Sequence, residues 1–254
     1  MEAYVKPLLS PSFHWIVHLT ISNFAFSRAE IASLSKLVNL GALTIGESPT
    51  GTVLDDGIIR AWARAATESG AFSMLRVLIL KAQKEITPQS FAYLNQFPSL
   101  ALFNTENCLL GPKTKTEALA LGWKYRTGED LTDSLNKGAL TDVSWDAVVR
   151  ALFRQAGAYN ADHLGQESVE AIDSLPVLHF CLGRPSGGAT LGFLTNERMR
   201  CFQRICQKSA PSHNATVDMA LCDEQTSKNV PVKKPRVRNS KLESFGDLLV
   251  GLRP

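Results

Sequence analysis

The residue types that do chemistry in proteins are sparse in this chain, and their spacing fits no catalytic motif. The glycine-rich stretch GRPSGGATLG at 183–192 lacks the Lys-Ser/Thr pair with which a phosphate-binding loop reaches phosphate and magnesium. It also lacks the spacing of a dinucleotide fingerprint, and the sequence has no Gly-x-Ser-x-Gly elbow and no His-Glu-x-x-His pair. We therefore interpret the stretch as a turn after a strand, and we expect neither an enzyme nor a cofactor.

Cys201, Cys206 and His213 are the residues most suited to bind a metal. Structural zinc sites use four ligands, usually from tighter cysteine pairs. Cys201 and Cys206 lie at positions i and i+5 of a predicted helix, so they are interpreted as separate buried thiols, and no metal is expected. His163 lies among acidic residues at 162–170 that precede or begin a helix, and we expect these to face water.

The composition is that of a soluble globular protein. Of 254 residues, 44% are hydrophobic and 20% charged, and no apolar run is long enough to span a membrane. Five cysteines without short paired spacing predict reduced thiols, and therefore an intracellular protein of the cytoplasm or nucleus. Residues 228–254 carry seven basic against two acidic side chains, whereas 1–227 are slightly acidic, so we do not expect the folded part to bind nucleic acid.

A switch from helical to strand periodicity recurs along the chain. In FAYLNQFPSLALF, at 91–103, apolar residues fall every third position up to Leu100 and then every second. With Leu100 as position zero, the apolar positions are −9, −6, −3, 0 and +2. The same register fits with zero at Leu19, Leu43, Leu78 and Leu178, and the five copies agree at twenty-three of twenty-five positions. The pattern predicts repeated helix-then-strand units.

The repeated segments LSKLVNLGALTI, FSMLRVLILKAQKEITPQSFAYLNQFPSLALFNTENC and IDSLPVLHFCL resemble leucine-rich repeats. The order of helix before strand in these units is similar to that of the ribonuclease-inhibitor and cysteine-containing subfamilies, as found in F-box proteins. The resemblance implies a solenoid over 10–206 with a parallel curved sheet, outer helices and an insertion at about 111–160. It also implies Asn or Cys five residues after each zero position, where the chain has Phe24, Ser48, Gln83, Thr105 and Gly183.

The insertion contains DVSWDAVVRALFRQAG, which predicts a helix capped by Asp142 or Ser144. We expect the insertion to pack on the edge of the solenoid. The alternative is a lid that binds a partner, because long insertions in compact domains are often functional.

The C-terminal residues form two predicted segments. Residues 207–240 are predicted to be a disordered basic linker, in which Lys233, Lys234, Arg236 and Arg238 either bind an import receptor or simply add solubility. Residues 241–254 predict a short amphipathic helix that either binds a groove or frays. Its apolar face consists of Leu242, Phe245, Leu248, Leu249 and Leu252.

The concave face of the predicted sheet is apolar and nearly uncharged, which favours a protein partner over nucleic acid. The predicted contact residues are Thr44, Ile79, Lys81, Phe103 and His179. The leading hypothesis is a non-catalytic interaction module, and the resemblance implies substrate recognition for a ubiquitin ligase. Because no F-box-like segment precedes Leu19, that role would need a partner or a longer chain. The alternative is a nuclear protein that binds nucleic acid through its tail.

Overall fold

Parallel strands make up most of one open sheet. The structure, a computed structural model, describes residues 15–49, 54–127, 145–164, 166–183 and 199–205. Its strands are β1 (Ile16–Ser22), β2 (Leu40–Ile45), β3 (Val77–Lys81), β4 (Leu102–Glu106), β5 (Trp123–Arg126), β6 (Val177–Gly183) and β7 (Met199–Arg204). They lie in the order β5-β7-β4-β3-β2-β1-β6, in which β7 pairs antiparallel with both β4 and β5 and the other neighbouring strands pair in parallel. The predicted α/β class with a mainly parallel sheet is confirmed.

Six α-helices occur in the described residues. They are α1 (Arg28–Ala32), α2 (Asp56–Ser69), α3 (Ser90–Leu94), α4 (Thr114–Ala120), α5 (Trp145–Leu164) and α6 (Gln166–Asp173). Local sequence sets several ends: Ser27 and Glu30 form a capping box at α1, and the Asp55 carboxylate accepts the Ile58 N–H at α2. Gly70, with φ of 67°, ends α2 in the left-handed conformation that glycine adopts without strain.

Alternate strand residues build the larger of two cores. Leu19, Leu43, Leu78 and Phe103 lie side by side on β1 to β4, and each is at most 1% exposed. They pack in one cluster with Trp62 of α2 and with the buried residues of α1, α3 and α4. We call this side of the sheet the outer face. The predicted alignment of Leu19, Leu43 and Leu78 is confirmed.

The predicted register is wrong in the two remaining units. Leu78 pairs with Phe103 rather than Leu100, and Leu19 pairs with Phe180 rather than Leu178. The spacing of three continues for one step beyond Leu100, since Phe97, Leu100 and Phe103 are all fully buried. An apolar pattern of this kind cannot by itself locate the point where the strand begins.

The last two strands also depart from expectation. β6, which contains Leu178, pairs with β1 instead of following β4. The segment around Cys201, predicted to be helical, is the strand β7. In β7, Cys201 and Phe202 are buried in opposite cores, so the strand is covered on both faces and shows no polar alternation. Pairing with β4 and β5 overrides its local preference.

The insertion is divided between the end of the sheet and its second face. β5 lies at the end of the sheet. The predicted helix is present as α5, but it lies on the face opposite to α2 and α3. We call this second side the inner face.

Several sequence predictions lie outside the described residues. These are the insertion segment at 128–144, most of the glycine-rich stretch, Cys206, His213 and everything from 207 to 254, including the basic cluster and the terminal helix. In the part of the chain that the structure describes, no helix has the length and apolar character needed to cross a membrane.

Candidate functional site on the inner face

Two neighbouring rows of side chains cross the inner face of the sheet. One row contains His18, Ala42, Val77 and Leu102 on successive strands, and the other contains Thr20, Thr44, Ile79 and Asn104. The side chains share a face because strand residues alternate with a period of two. The first row is mainly apolar and the second mainly polar, so this face differs in character from the outer face.

The helix α5 packs on the apolar row. Its buried residues recur at helical spacing and contact the sheet in the second core cluster; they are Val148, Val149, Leu152, Phe153 and Ala156. Close approach depends on Gly41, where a Cβ atom would lie 2.7 Å from Cε2 of Phe153. An amphipathic helix therefore covers the face on which a partner was expected.

Arg76 is fully buried at the edge of this helix–sheet contact. Its Nη1 pairs with the Asp173 carboxylate of α6, and its guanidinium carbon lies 4.6 Å from the centroid of the Phe153 ring. A Cβ atom at Gly157 would lie 2.5 Å from Nη1, so glycine makes room for the charge. The Nε and Nη2 atoms have no hydrogen-bond partner in the described chain.

A second polar cluster lies where α5 begins above β1 and β6. His18 is 2% exposed, and its ring lies 5.0 Å from Phe153 and 4.9 Å from His179, centroid to centroid. Neither ring nitrogen of His18 has a partner among the residues described. Burial, followed by His179 and Arg150, lowers the pKa of His18 to about 3, so its ring is neutral at pH 7.

His179 is held by two charged side chains of α5. Its Nε2 lies 3.0 Å from Nη2 of Arg150, and its Nδ1 lies 3.7 Å from Oδ1 of Asp146. Burial lowers the pKa of His179, Asp146 opposes that shift and Arg150 adds to it. These contacts connect the start of α5 to the edge strand β6.

The predicted contact residues are not presented together on one open surface. Thr44 and Ile79 lie on the inner face but are at most 2% exposed. Phe103 lies on the outer face, fully buried, because the β4 register is shifted by three residues from the predicted one. Lys81 lies 3.6 Å from Glu106, and burial lowers its pKa while that carboxylate raises it. His179 retains 15% of its side-chain exposure.

None of the three described thiols has a lowered pKa. Burial raises the pKa of Cys108 to about 11, and it also raises the pKa of Cys201. The pKa of Cys181 is raised by local desolvation and then by the Asp146 carboxylate. Since the thiolate is the nucleophile, each of these thiols is poorly suited to covalent catalysis. The described residues also contain no cluster of three or more His, Cys, Asp or Glu that would hold a metal ion.

In the turns after the parallel strands, the sequence identified some of the side chains that hydrogen-bond to the backbone and missed others. Asn23, Ala82 and Asn107 have φ between 51° and 55°, and each lies four residues after the outer-face position of its strand. Gln83 was identified and donates to Gly46 O at 2.9 Å. Cys108 was missed; its Sγ donates to Leu80 O at 3.6 Å. With the fourth register shifted to Phe103, Cys108 lies five residues after the outer-face position of β4, as Gln83 does after that of β3.

Arg76 was also missed, and its signal was a single charge inside the apolar run LRVLIL.

Comparison with protein-family models, with curated proteins and with solved structures found no match.

Proposed function

We propose that the protein is a non-catalytic interaction module of the leucine-rich-repeat type, and that the inner face of its sheet recognises amphipathic helices. The repeat assignment is supported by β1 to β4, which place equivalent apolar residues side by side. It is further supported by Gln83 and Cys108, whose side chains bond to the backbone of neighbouring strands or turns. A curved array of such units presents an extended binding surface.

The observation that carries the proposal is the position of α5. This face already holds a helix through a row of small and branched apolar residues, of which Ala42, Val77 and Leu102 are examples. Binding a helix through anchors spaced three and four residues apart is a recurrent mode of protein recognition. We therefore interpret α5 as the ligand of this face within the same chain, and a partner helix as its competitor.

The chemistry around the face supports a non-catalytic role. His179, the one described inner-face histidine near solvent, is engaged by both Arg150 and Asp146. The nearby Cys181 has a raised pKa, so the pair lacks the activated thiol of a cysteine nucleophile. The ubiquitin-ligase role and the nuclear alternative stay predictions, the first from the family resemblance and the second from the tail.

A labelled peptide of residues 145–164 tests whether the inner face binds a helix. In the wild-type chain α5 competes at the high effective concentration of an intramolecular ligand, on the order of millimolar, so we expect no peptide binding. Phe153→Asp in the full chain places a charge in the apolar contact and should release α5. Fluorescence anisotropy should then detect binding of the wild-type peptide at micromolar concentrations.

Two matched controls accompany that measurement. A peptide that itself carries Phe153→Asp should not bind, and a full chain carrying Ala158→Asp, on the exposed side of α5, should still exclude the peptide. A Phe153→Asp chain that unfolds cooperatively but does not bind the peptide would contradict the proposal. If that chain does not unfold cooperatively, the milder Phe153→Ala chain takes its place in the same assay.

A further inference from the structure

The two edges of the sheet are built differently. β5 is four residues long and contains Lys124 and Arg126, and the ammonium of Lys115 lies 3.9 Å from the centroid of its Tyr125 ring. Charged side chains on an edge strand discourage another strand from pairing there. β6 is seven residues long, and its sequence VLHFCLG contains no Lys, Arg, Asp, Glu or Pro. In the part of the chain that the structure describes, the β6 edge lacks the protection that β5 has.

The backbone of β6 offers hydrogen-bonding groups on its open side. The Ile16 N–H donates to Pro176 O at 2.9 Å, and Ile16 is the partner of Val177. In a parallel ladder a residue bonds to the two residues that flank its partner. The even-numbered residues of β6 therefore bond to β1, and the odd-numbered ones direct their N–H and C=O groups away from it. Within the described chain, β1 is the sole strand that pairs with β6.

The side chains of β6 leave apolar surface at the same edge. Leu178 is 39% exposed, Phe180 is half-buried and Leu182 is buried. By the register with β1, these three residues lie on the outer face, and Phe180 and Leu182 extend its core. His179 and Cys181 lie on the other face. Because burial lowers the pKa of His179, the strand carries no charge at pH 7.

We infer that β6 pairs antiparallel with β6 of a second copy of this chain, with the two Phe180 residues opposite each other on the two-fold axis. Two sheets would then join into one through their unprotected edges, and the charged β5 edges would stay outermost. Such an isologous contact closes on itself and gives a dimer rather than a fibre.

The register follows from the direction of the backbone groups. With Phe180 opposite Phe180, each His179 lies opposite Cys181 of the second copy, and both residues direct their N–H and C=O groups outward. They form hydrogen-bonded pairs, while Phe180 occupies the non-hydrogen-bonded position where side chains are closest. Leu178 lies opposite Leu182 of the second copy on the outer face. The exposed Leu178 is thereby covered, and the uncharged strand is complementary to itself.

Sedimentation velocity over a concentration series tests the dimer in the full-length chain. We expect a reversible monomer–dimer equilibrium, and we expect Leu178→Lys to raise the dimer dissociation constant about tenfold or more. Leu119→Lys is the matched control, since Leu119 is 56% exposed on α4. It should leave the equilibrium unchanged. Circular dichroism on both variants checks that each is folded.

Oxidation with copper phenanthroline tests the register independently of Leu178→Lys. Residues opposite each other at a non-hydrogen-bonded position have Cα atoms about 4.5 Å apart, within reach of a disulfide. The Phe180→Cys chain should therefore cross-link into a covalent dimer. Leu178→Cys should not, because the two copies of residue 178 lie four residues apart along the strands, about 14 Å.

Three results would overturn the inference. These are a wild-type chain that stays monomeric throughout the series, a dimer unaffected by Leu178→Lys, and a Phe180→Cys chain that cross-links no better than wild type. Rapid cross-linking of wild type through Cys181 would also reject this register, since it would place Cys181 on the axis instead.

Discussion

The two faces of the sheet differ in how their buried polar groups are satisfied. On the outer face, the amide of Asn95 donates to Leu121 O and accepts the indole N–H of Trp123, both at 2.8 Å. On the inner face, His18, Arg76 and Asn104 are at most 2% exposed, and each has two side-chain nitrogen or oxygen atoms without a partner in the described chain. The inner-face groups are thus buried and unpaired, whereas Asn95 is half-buried and paired with the fully buried Trp123.

This difference has an energetic consequence for the two layers of helices. A buried polar group without a partner costs about 1–3 kcal/mol relative to one that is paired. His18 and Arg76 both lie beside Phe153 of α5, so part of this cost falls on the contact between α5 and the sheet. We therefore expect the outer face to be the more stable part of the fold, and the inner face to hold its helix more weakly, as the proposed function requires.

Truncating one large aromatic residue on each face gives the largest expected effect. Phe91 contacts the rings of Phe103, Trp123 and Phe202 in the outer core, so Phe91→Ala should lower the free energy of unfolding by about 4 kcal/mol. Phe153→Ala should cost about 2 kcal/mol, since α5 can shift and its contact already contains unpaired groups. Urea denaturation of both variants measures the difference. An equal or larger cost at Phe153 would make α5 a permanent part of the core.

The next largest effect is a loss of stability at acid pH, and it arises from His18. Its pKa is 6.5 in the unfolded chain and about 3 in the fold, where His179, Arg150 and Asp146 surround the site. Between those values the unfolded state binds more protons, so stability falls as the pH is lowered from 6.5 towards 3. The slope from this group is at most about 1.4 kcal/mol per pH unit. His18→Phe should remove it from urea titrations at pH 6.5, 5.5 and 4.5.

His179→Phe is the matched control for that titration. His179 keeps some exposure and has Asp146 beside it, which opposes the lowering of its pKa. Its replacement should leave most of the acid slope in place. If the slope survives His18→Phe but disappears with His179→Phe, the proton is bound by His179 and the prediction for His18 is wrong.

The sequence predicted elements where apolar spacing was unambiguous. Leu19, Leu43 and Leu78 each lie in a strand with one apolar face towards helices, and the helix now called α5 was recognised from its apolar spacing. The start of β4 was not predictable in this way, because Phe97, Leu100 and Phe103 are all buried whether the chain is helical or extended. Apolar periodicity indicates which residues are buried, and residues on both sides of the start of β4 are equally buried.

The candidate site depended on long-range contacts that periodicity does not encode. Arg76 and Asp173 are 97 residues apart in sequence, and His18 meets Phe153 across most of the chain. A pattern of inward and outward residues correctly predicted that Thr44, Ile79 and His179 face the inner side of the sheet, but it was wrong on β4, where Phe103 lies on the outer face. It could not predict that a helix of the same chain would cover them. That outcome depends on where β6 pairs, and β6 follows α5 and returns to β1.

Replacing one asparagine on each face gives the smallest expected effect, and its sign separates the two faces. Asn104 is fully buried, and neither atom of its amide has a partner in the described residues, so Asn104→Leu should raise the free energy of unfolding by about 1 kcal/mol. Asn95→Leu is the matched change on the outer face. It should lower that free energy by about 1–3 kcal/mol, since it leaves the Trp123 indole N–H unpaired. Paired urea denaturation curves measure both. A loss of stability at Asn104 comparable to that at Asn95 would mean that the inner amide is satisfied, and the distinction between the faces would then fail at the position where it is most direct.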